Sequence, residues 1–334
     1  MKYPDEIIKD VKNFSKKSKV FFLLKLTSNF TKYSLFTNLS SFIVNKDEKI
    51  PTDSPSIAIL WMIFGSVCFG TMNALVKWTS VDADVWMIIF MRSSVIAIIV
   101  ALYAKANSVN LKPNDSKTMF LRCLAGLIAM ILYFSALSRI PIGQAVTLQY
   151  TAPLFVALLS GSIIREQVSK PVLLLLITSF FGIILVVSPS TGNLESDALL
   201  ALGSGFFAAI AYIYVRKLRH SYWPSSVVFW FATFSVMGSI IQAAPDLLSL
   251  SIETMAALIG IGIGAGGGQV GITMAYHKAN AAWVSAFSYL TVIVATFYGY
   301  IIFDESLTNT NLIGGILIIF SGISLALLPP SNKK

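Results

Sequence analysis

The chain has 334 residues, of which 55% are hydrophobic and only 12% are charged, about half of the roughly 25% that a soluble domain carries. A soluble core could not bury this much apolar surface, so the composition excludes a soluble globular protein and predicts a chain embedded in lipid. The formal net charge is +9, but the basic residues lie in a tail and in short loops rather than along one helix face, which argues against nucleic-acid binding.

A basic tail precedes the apolar part of the chain. Residues 1–56 include ten lysines, and their one apolar patch is too short and too interrupted by charge to cross a bilayer. The tail is expected either to be disordered or to lie as an amphipathic helix on an anionic membrane surface. The first long apolar run begins near Ile57, which is too late for a cleavable signal peptide.

Ten apolar segments follow between Ile57 and Pro329, each of about 20 residues and so long enough to cross a hydrocarbon core of about 30 Å as a helix. Helices are expected because a backbone in lipid must satisfy its own hydrogen bonds. The connections are short, which predicts that consecutive helices are antiparallel neighbours. The predicted bounds are 57–78, 84–105, 118–138, 142–164, 171–189, 197–215, 224–244, 254–276, 281–303 and 309–329.

One stretch occurs twice. Residues 136–166 and 275–305 align without a gap, and the alignment places Tyr150 on Tyr289. Each copy begins near a basic residue, ends in glutamate and is followed by an apolar segment closed by proline. A period this long indicates a duplicated half rather than a solenoid repeat.

Two halves of five spans would enter the membrane from opposite sides, and the basic residues support this arrangement. With the N terminus in the cytoplasm, twelve basic residues fall on the cytoplasmic side and two on the outer side, which is a strong positive-inside signal. Both termini are therefore predicted to be cytoplasmic. The cytoplasmic set is Lys105, Lys112, Lys117, Arg122, Arg165, Lys170, Arg216, Lys217, Arg219, Lys278, Lys333 and Lys334, and the outer pair is Lys77 and Arg139.

The predicted fold is an all-α integral membrane protein of ten transmembrane helices in two inverted five-helix repeats. Its parts are a basic cytoplasmic tail (1–56), a first repeat (57–189), a second, inverted repeat (190–329) and a short cytoplasmic tail (330–334). Inverted repeats are typical of secondary transporters, whose substrate site lies near the bilayer midplane between the halves.

These features resemble the drug/metabolite transporter superfamily, and its EamA-type branch most closely. The resemblance covers residues 57–329 and rests on the repeated segment ending in Glu166 and Glu305, on the glycine-containing helix with a terminal proline after each copy, and on Arg92 in the second span. It implies a multi-pass carrier of amino acids, other metabolites or drugs, which in bacteria resides mostly in the inner membrane.

Arg92 is the sharpest candidate for a binding residue. It lies eight residues into the second span with apolar residues on both sides, where a charge costs at least about 2.5–3.5 kcal/mol on insertion scales. Facing a central cavity, its guanidinium would pair with a carboxylate or phosphate of a substrate. The alternative is a structural arginine that bonds backbone carbonyls or serine hydroxyls and fixes helix packing.

A second candidate site lies in the middle of the repeated segment. Pro153 removes a backbone hydrogen bond, which can leave a carbonyl free for a ligand beside the polar side chains. The alternative is a kink whose polar groups pair with a neighbouring helix. The candidate residues of the two copies are Gln149, Tyr150 and Thr151 in the first, and Ser288 and Tyr289 in the second.

Further candidates are less specific, since helix packing explains them as well as substrate binding does. Trp61 and Asn73 could line a cavity, as could the aromatic residues Trp86, Tyr133, Tyr212, Tyr214 and Trp230. The glycine-rich run 260–271 is not a dinucleotide motif, because no strand is expected before it. Its glycines at 260, 264 and 268 share one helix face and predict close helix packing, with Gln269 as a candidate to face the cavity.

Glu166 and Glu305 end the two copies of the repeat on opposite sides of the membrane. They are candidates for gating or proton-accepting groups, or for interfacial charges bonded to nearby loops. Cys68 and Cys123 both lie in apolar segments far apart, which predicts neither a disulfide nor a metal site. No cofactor is expected, and the spans offer no nucleophile–base pair, so the chain is not predicted to be an enzyme.

The leading prediction is a secondary transporter that moves a small metabolite, anionic or zwitterionic and amino-acid-like, or a drug, by alternating access. Its partners would be a small-molecule substrate and the lipid bilayer. The alternative is a non-transporting membrane scaffold or sensor that acts through the basic tail.

Overall fold

The computed structural model describes residues 53–79, 82–112, 114–137, 139, 142–187, 198–246, 250–303 and 308–328. Within these ranges the protein is helical and has no strand, which confirms the all-α prediction. The helices, in chain order, are α1 (Pro55–Thr79), α2 (Val85–Ala106), α3 (Ser116–Leu137), α4 (Ile142–Gln149), α5 (Ala152–Ile164), α6 (Lys170–Val187), α7 (Ala198–Leu218), α8 (Pro224–Ala243), α9 (Ile252–Lys278), α10 (Ala281–Ser285), α11 (Leu290–Phe303) and α12 (Asn309–Leu327).

Eight helical segments of the described chain are long and apolar enough to cross a membrane. They are α1, α2, α3, α7, α8, α9, α12 and the nearly continuous stretch Ala281–Ile302, while α5 and α6 are shorter apolar helices. Large apolar side chains cover the outside of the bundle; Ile241 and Leu327, for example, are 79% and 81% exposed. A soluble protein does not present such a surface, and lipid accounts for it.

The helices pack as a pseudo-symmetric pair of halves. The most extensive contacts join α1 to α9 and α3 to α7, which are equivalent pairs under the repeat, and then α6 to α12 and α2 to α8. Consecutive helices touch far less, so the prediction that they are close neighbours is wrong. Each half therefore buries its helices mainly against the other half.

Glycine permits the closest of these contacts. A side chain on Gly271 of α9 would meet the Cα of Gly65 of α1 at 2.6 Å and the carbonyl oxygen of Trp61 at 2.7 Å. The glycine-rich run of α9 thus lets two helix backbones approach directly, as its small-residue spacing predicts.

Both copies of the repeated segment are interrupted at the same place. In the first copy α4 ends at Gln149 and α5 begins at Ala152, because Pro153 has no N–H to offer the carbonyl of Gln149. In the second copy a 3₁₀ segment, Ala286–Tyr289, separates α10 from α11. No proline stands there; instead Ser285 and Ser288 donate their hydroxyls to carbonyls three residues earlier, which favours the tighter turn.

Several predicted features lie outside the described residues. These are the basic tail up to residue 52, Glu305 with the rest of 304–307, the two prolines predicted to close the repeats, and the C-terminal residues 329–334.

Candidate functional site

A cavity of about 140 Å³ lies among the helices of both halves. It is bounded by α1, α2, α3, α5, α7, α8, α9, α11 and the interrupted turns of both repeat copies. The residues that line it are Phe69, Met72, Asn73, Arg92, Arg122, Gly126, Ala129, Met130, Tyr133, Phe134, Gln149, Tyr150, Ala152, Pro153, Ala208, Ala211, Tyr212, Phe231, Gln269, Ile272, Ser288 and Thr291.

Arg92 lines this cavity from α2, although only 4% of the residue is exposed to solvent. Its Nη1 lies 2.7 Å from the sulfur of Met130, which is a weak acceptor, and its Nε is buried without a partner. The structure therefore does not give Arg92 the carbonyl or serine partners that a purely structural arginine would need. Ser93 beside it is buried, and its hydroxyl also has no partner.

Arg122 is a second buried cation in the same cavity, and the sequence reasoning missed it. The charge tally counts it among the cytoplasmic basic residues, although it lies just inside the predicted span 118–138; in the structure it is the seventh residue of α3 and 2% exposed. Its guanidinium carbon lies 4.1 Å from the centre of the Phe231 ring, and its Nη2 donates to Oε1 of Gln269 at 3.2 Å. Its Nε has no partner.

Local sequence explains how α3 accommodates this side chain. A Cβ on Gly126, one turn later, would stand 2.4 Å from Nη1 of Arg122, so the glycine leaves the space that the guanidinium occupies. The sequence does contain this pattern, an arginine four residues before a glycine. The pattern alone does not separate a buried arginine from one in a loop, because Arg122 lies close to the charged start of the helix.

The polar residues at the two interrupted turns converge on the cavity. Gln149, Tyr150 and Ser288 all line it, and Gln149 accepts a hydrogen bond from the Ser204 hydroxyl. The rings of Tyr150 and Tyr289, equivalent in the repeat, lie 6.4 Å apart between their centres. The pseudo-two-fold relation therefore brings the two copies together beside the cavity.

The structure places the remaining candidates in two groups. Asn73 and Gln269 line the cavity, as do Tyr133 and Tyr212. Thr151, Trp61 and Tyr289 are buried but are not among the lining residues. Thr151 donates its hydroxyl to the carbonyl of Leu148 at 2.6 Å, and Trp61 packs edge-on against Phe64, so both residues support local packing.

A cluster of charges, which we call the ion-pair cluster, lies at the helix ends on one side of the cavity. It consists of Glu166, Arg216, Arg219 and Asp53. Arg216 is only 4% exposed, and its Nε donates to Glu166 at 2.7 Å while its Nη1 donates to Asp53 at 3.1 Å. Arg219 also pairs with Asp53. By sequence Arg216 counts as a loop residue, but it ends α7 in a buried position.

The same cluster also bonds backbone groups at the end of α9 and at the start of α10. Arg216 Nη1 also donates to the carbonyls of Tyr276 and His277 at 3.3 and 3.2 Å, and the N–H of Ala281 donates to Glu166 at 2.9 Å. Glu166 thus fastens the end of α5 to the end of α7 and to the start of α10. His277, in the last turn of α9, is 3% exposed.

A tyrosine pair separates the cavity from the ion-pair cluster. The rings of Tyr212 and Tyr276 are stacked, with centres 5.2 Å apart and an angle of 17° between their planes. Tyr212 lines the cavity, and Arg216 follows it by one helical turn, about 6 Å along α7. On this side the cavity is therefore closed first by aromatic rings and then by charge pairs.

Asp53, just before α1, is held in its ionised form. Burial alone opposes ionisation, but hydrogen bonds and the positive charges of Arg216 and Arg219 outweigh it and lower the pKa of the Asp53 carboxyl below its usual range. The N–H of the next residue, Ser54, donates to the carbonyl of Lys278 at 2.8 Å. The chain that enters α1 is thereby tied to the same cluster.

The described part of the chain contains no group of histidine, cysteine and acidic side chains that could hold a metal ion. Cys68 and Cys123 are free thiols. The cavity thus offers arginines, amides, hydroxyls and aromatic rings, a set suited to binding and orienting an anion.

Comparison with known proteins places both halves of the chain in one class. Residues 56–188 and 196–328 each match the EamA-like transporter family. A pseudopaline exporter of Pseudomonas aeruginosa is 27% identical over 270 residues, which cover 80% of this chain and 95% of that protein. A riboflavin transporter of Vibrio cholerae is 24% identical over 273 residues, covering 80% and 92%.

More distant similarities agree with these. An S-adenosylmethionine uptake transporter of Rickettsia bellii is 22% identical over 267 residues, covering 79% of this chain and 91% of that protein. One solved crystal structure superposes with a TM-score of 0.71 and 17% identity, covering 83% of this chain and all of the other, which is a likeness in fold.

Proposed function

The chain belongs to the EamA-like transporter family of the drug/metabolite transporter superfamily, and on that premise we propose that it is a secondary carrier of a small anionic or zwitterionic metabolite that works by alternating access. It is a multi-pass integral membrane protein, and its bacterial relatives indicate the inner membrane of a bacterial cell. The observation that carries the proposed substrate class is Arg92, a buried cation without a strong acceptor that lines the cavity between the halves.

The proposed topology has ten spans in two inverted halves, 57–189 and 190–329, with both termini in the cytoplasm. The short helices α5 and α6 count as parts of the fourth and fifth spans, and α10, the 3₁₀ segment and α11 form the ninth. Arg122 lines the cavity and therefore leaves the count of cytoplasmic basic residues, but the remaining ones still far outnumber the two on the outer side. On this topology the ion-pair cluster lies at the cytoplasmic mouth.

Alternating access requires that each mouth close in turn while the site stays near the middle. The contacts of the ion-pair cluster and the Tyr212–Tyr276 stack support a closed state of the mouth that the proposed topology assigns to the cytoplasm. Because Glu166 comes from the first half and Arg216 from the second, separating the halves at this mouth must break their pair. The cavity, at about 140 Å³, is smaller than the roughly 300 Å³ at which ligand pockets usually begin, and it would widen as a substrate enters.

Transport in reconstituted liposomes tests this proposal. Purified protein should move at least one of the solutes glutamate, alanine and succinate, and Arg92→Ala should abolish that movement while the protein keeps its melting temperature within a few degrees. Arg139→Ala is the matched control, because Arg139 is an exposed arginine outside the cavity. Normal transport by a folded Arg92→Ala protein would remove the proposed anion-binding role.

A shortened protein separates this function from the alternative of a scaffold or sensor. A carrier whose site lies between the halves should keep its transport activity after deletion of residues 1–50. A scaffold that acts through the basic tail should lose its activity on the same deletion.

A further inference from the structure

Two of the three buried arginines described above are not paired with a carboxylate. Arg216 uses its guanidinium on Glu166, on Asp53 and on two carbonyls. Arg92 and Arg122 each leave Nε without a hydrogen-bond partner among the described residues, and none of the described residues that line their cavity is an aspartate or glutamate. Buried charges are normally paired, so two unpaired cations facing one cavity point to anionic groups that arrive with a ligand.

The two cations lie at different levels of α3. The guanidinium of Arg122 reaches to the level of Gly126, as the 2.4 Å approach of a Cβ there requires. The guanidinium of Arg92 contacts the side chain of Met130, which is one turn or about 6 Å further along α3. The two positive charges lie close enough to repel each other, and a ligand with one negative charge would neutralise only one of them.

The other polar groups of the cavity offer an ammonium group only uncharged partners. The side-chain oxygen of Gln149 accepts from Ser204, and that of Gln269 accepts from Arg122. An ammonium group donates three hydrogen bonds and carries a charge, and no carboxylate among the lining residues would balance it. A zwitterion would therefore satisfy one arginine and bring a third cation next to the other.

We propose that the cavity binds a solute with two carboxylates on a short carbon chain, one paired with Arg92 and the other with Arg122. This inference rests on the proposed transport function and narrows its substrate class from anionic or zwitterionic solutes to dicarboxylates. A guanidinium can offer two parallel donors to a carboxylate, and the Nε of each of these two arginines has no hydrogen-bond partner in this structure. The aromatic wall of Tyr133, Tyr150 and Tyr212 packs against the carbon chain between the two ends.

Ligand-induced thermal stabilisation of the purified, full-length protein tests the charge requirement. The probes are succinate and glutarate, which carry two carboxylates, butyrate, which carries one, 4-aminobutyrate, which is a zwitterion of similar length, and glycerol 3-phosphate. We expect succinate or glutarate to raise the melting temperature at concentrations at least about tenfold lower than butyrate or 4-aminobutyrate, because a charge pair in a buried site is worth a tenfold or larger difference in affinity.

Single-arginine variants test the pairing of each end. Arg92→Gln and Arg122→Gln should each weaken dicarboxylate binding at least about tenfold and leave butyrate binding nearly unchanged, since one cation remains for one carboxylate. Gly126→Ala keeps both charges but forces the Arg122 guanidinium to move, so it should weaken dicarboxylates in the same direction. Arg139→Gln is the control that removes an exposed charge outside the cavity.

Several results would overturn the inference. One is that butyrate or 4-aminobutyrate stabilises the protein as much as the dicarboxylates do. Another is that glycerol 3-phosphate stabilises it more than either dicarboxylate. The third is that folded Arg92→Gln and Arg122→Gln proteins still prefer dicarboxylates to butyrate. If liposomes transport alanine and not succinate, the carrier function stands and the dicarboxylate assignment fails. If liposomes transport none of the solutes named for the transport assay or for the thermal assay, the proposed carrier function itself fails.

Discussion

Replacing Glu166 by glutamine should loosen the cytoplasmic mouth. The carboxylate accepts two charge-assisted hydrogen bonds, from Nε of Arg216 at 2.7 Å and from the N–H of Ala281 at 2.9 Å. Glutamine keeps one oxygen, so it can accept from one of these donors, while its amide group turns N–H toward the other. Arg216 keeps Asp53, so its charge is not left entirely unpaired.

The expected effect follows from the bond that is lost. A hydrogen bond to a charged group is worth about 1.5–3 kcal/mol, and Glu166 is partly buried, with 20% of its side chain exposed. About 1.4 kcal/mol changes an equilibrium constant tenfold, so the ratio of molecules with this mouth open to molecules with it closed should rise roughly ten- to 150-fold. The same change should lower the fraction of molecules that are open to the outside.

Cysteine accessibility measures this ratio. Cys68 and Cys123 are first replaced by alanine, and Ala211→Cys then places a single thiol in the cavity wall. A membrane-impermeant maleimide should label this thiol at least about tenfold faster in inside-out vesicles when Glu166→Gln is present. Labelling from the outside should slow down in right-side-out vesicles.

Two further variants make the test specific. Glu253→Gln removes an exposed carboxylate from the first turn of α9, away from the ion-pair cluster, and should leave both labelling rates unchanged. The double variant Glu166→Gln with Arg216→Gln should change the rates by less than the sum of the single effects, because the two side chains act as a pair. Unchanged labelling in a folded Glu166→Gln protein, or faster labelling from the outside, would refute the gating role.

Two other outcomes follow from the structure. Gly271→Ala should destabilise the protein by roughly 1–3 kcal/mol, because the added Cβ would meet the backbone of α1 at 2.6 Å. Gly266→Ala on the same helix is the control, since its added Cβ would make only an ordinary contact at 3.5 Å and should leave stability unchanged. Equal melting temperatures of the two variants would contradict this expectation. Asp53 has a lowered pKa, so its contribution to mouth closure should be complete above the ordinary value of 3.8 and be lost only as the pH falls through the lowered pKa. Maleimide reacts with the thiolate, so every labelling rate falls between about pH 7 and pH 5, and the two proteins are compared at each pH. Asp53→Asn should increase labelling in inside-out vesicles by the same factor at both pH values.

The sequence by itself determined the class of protein and most of its plan. A charged fraction of 12% and continuous apolar segments leave lipid as the only suitable solvent. The alignment of Tyr150 with Tyr289 indicated the duplication, and the family model matches the chain twice in agreement with it. Pro153 located the interruption in the first copy because its lack of an N–H is a local property. Arg92 stood out because apolar residues surround it in the chain.

Tertiary structure decided which residues face each other. Arg122 and Arg216 looked like loop residues because both lie near the ends of apolar runs, yet one faces the cavity and the other is enclosed by carboxylates and carbonyls. Thr151 and Trp61 had the polarity or size of lining residues, but hydrogen bonding and packing with near neighbours in sequence hold them elsewhere. The second interruption, at Ala286–Tyr289, has no proline to announce it.

The physical reason is the distance over which each effect acts. Hydropathy, proline chemistry and loop charge are properties of a few consecutive residues, and the sequence displays them directly. The partners of a buried charge come from helices far apart in the chain, as Gln269 does for Arg122 across 147 positions. Only the packing of the two halves could show that one buried arginine is bonded to two carboxylates while two others lie in the cavity without a carboxylate partner among the described residues.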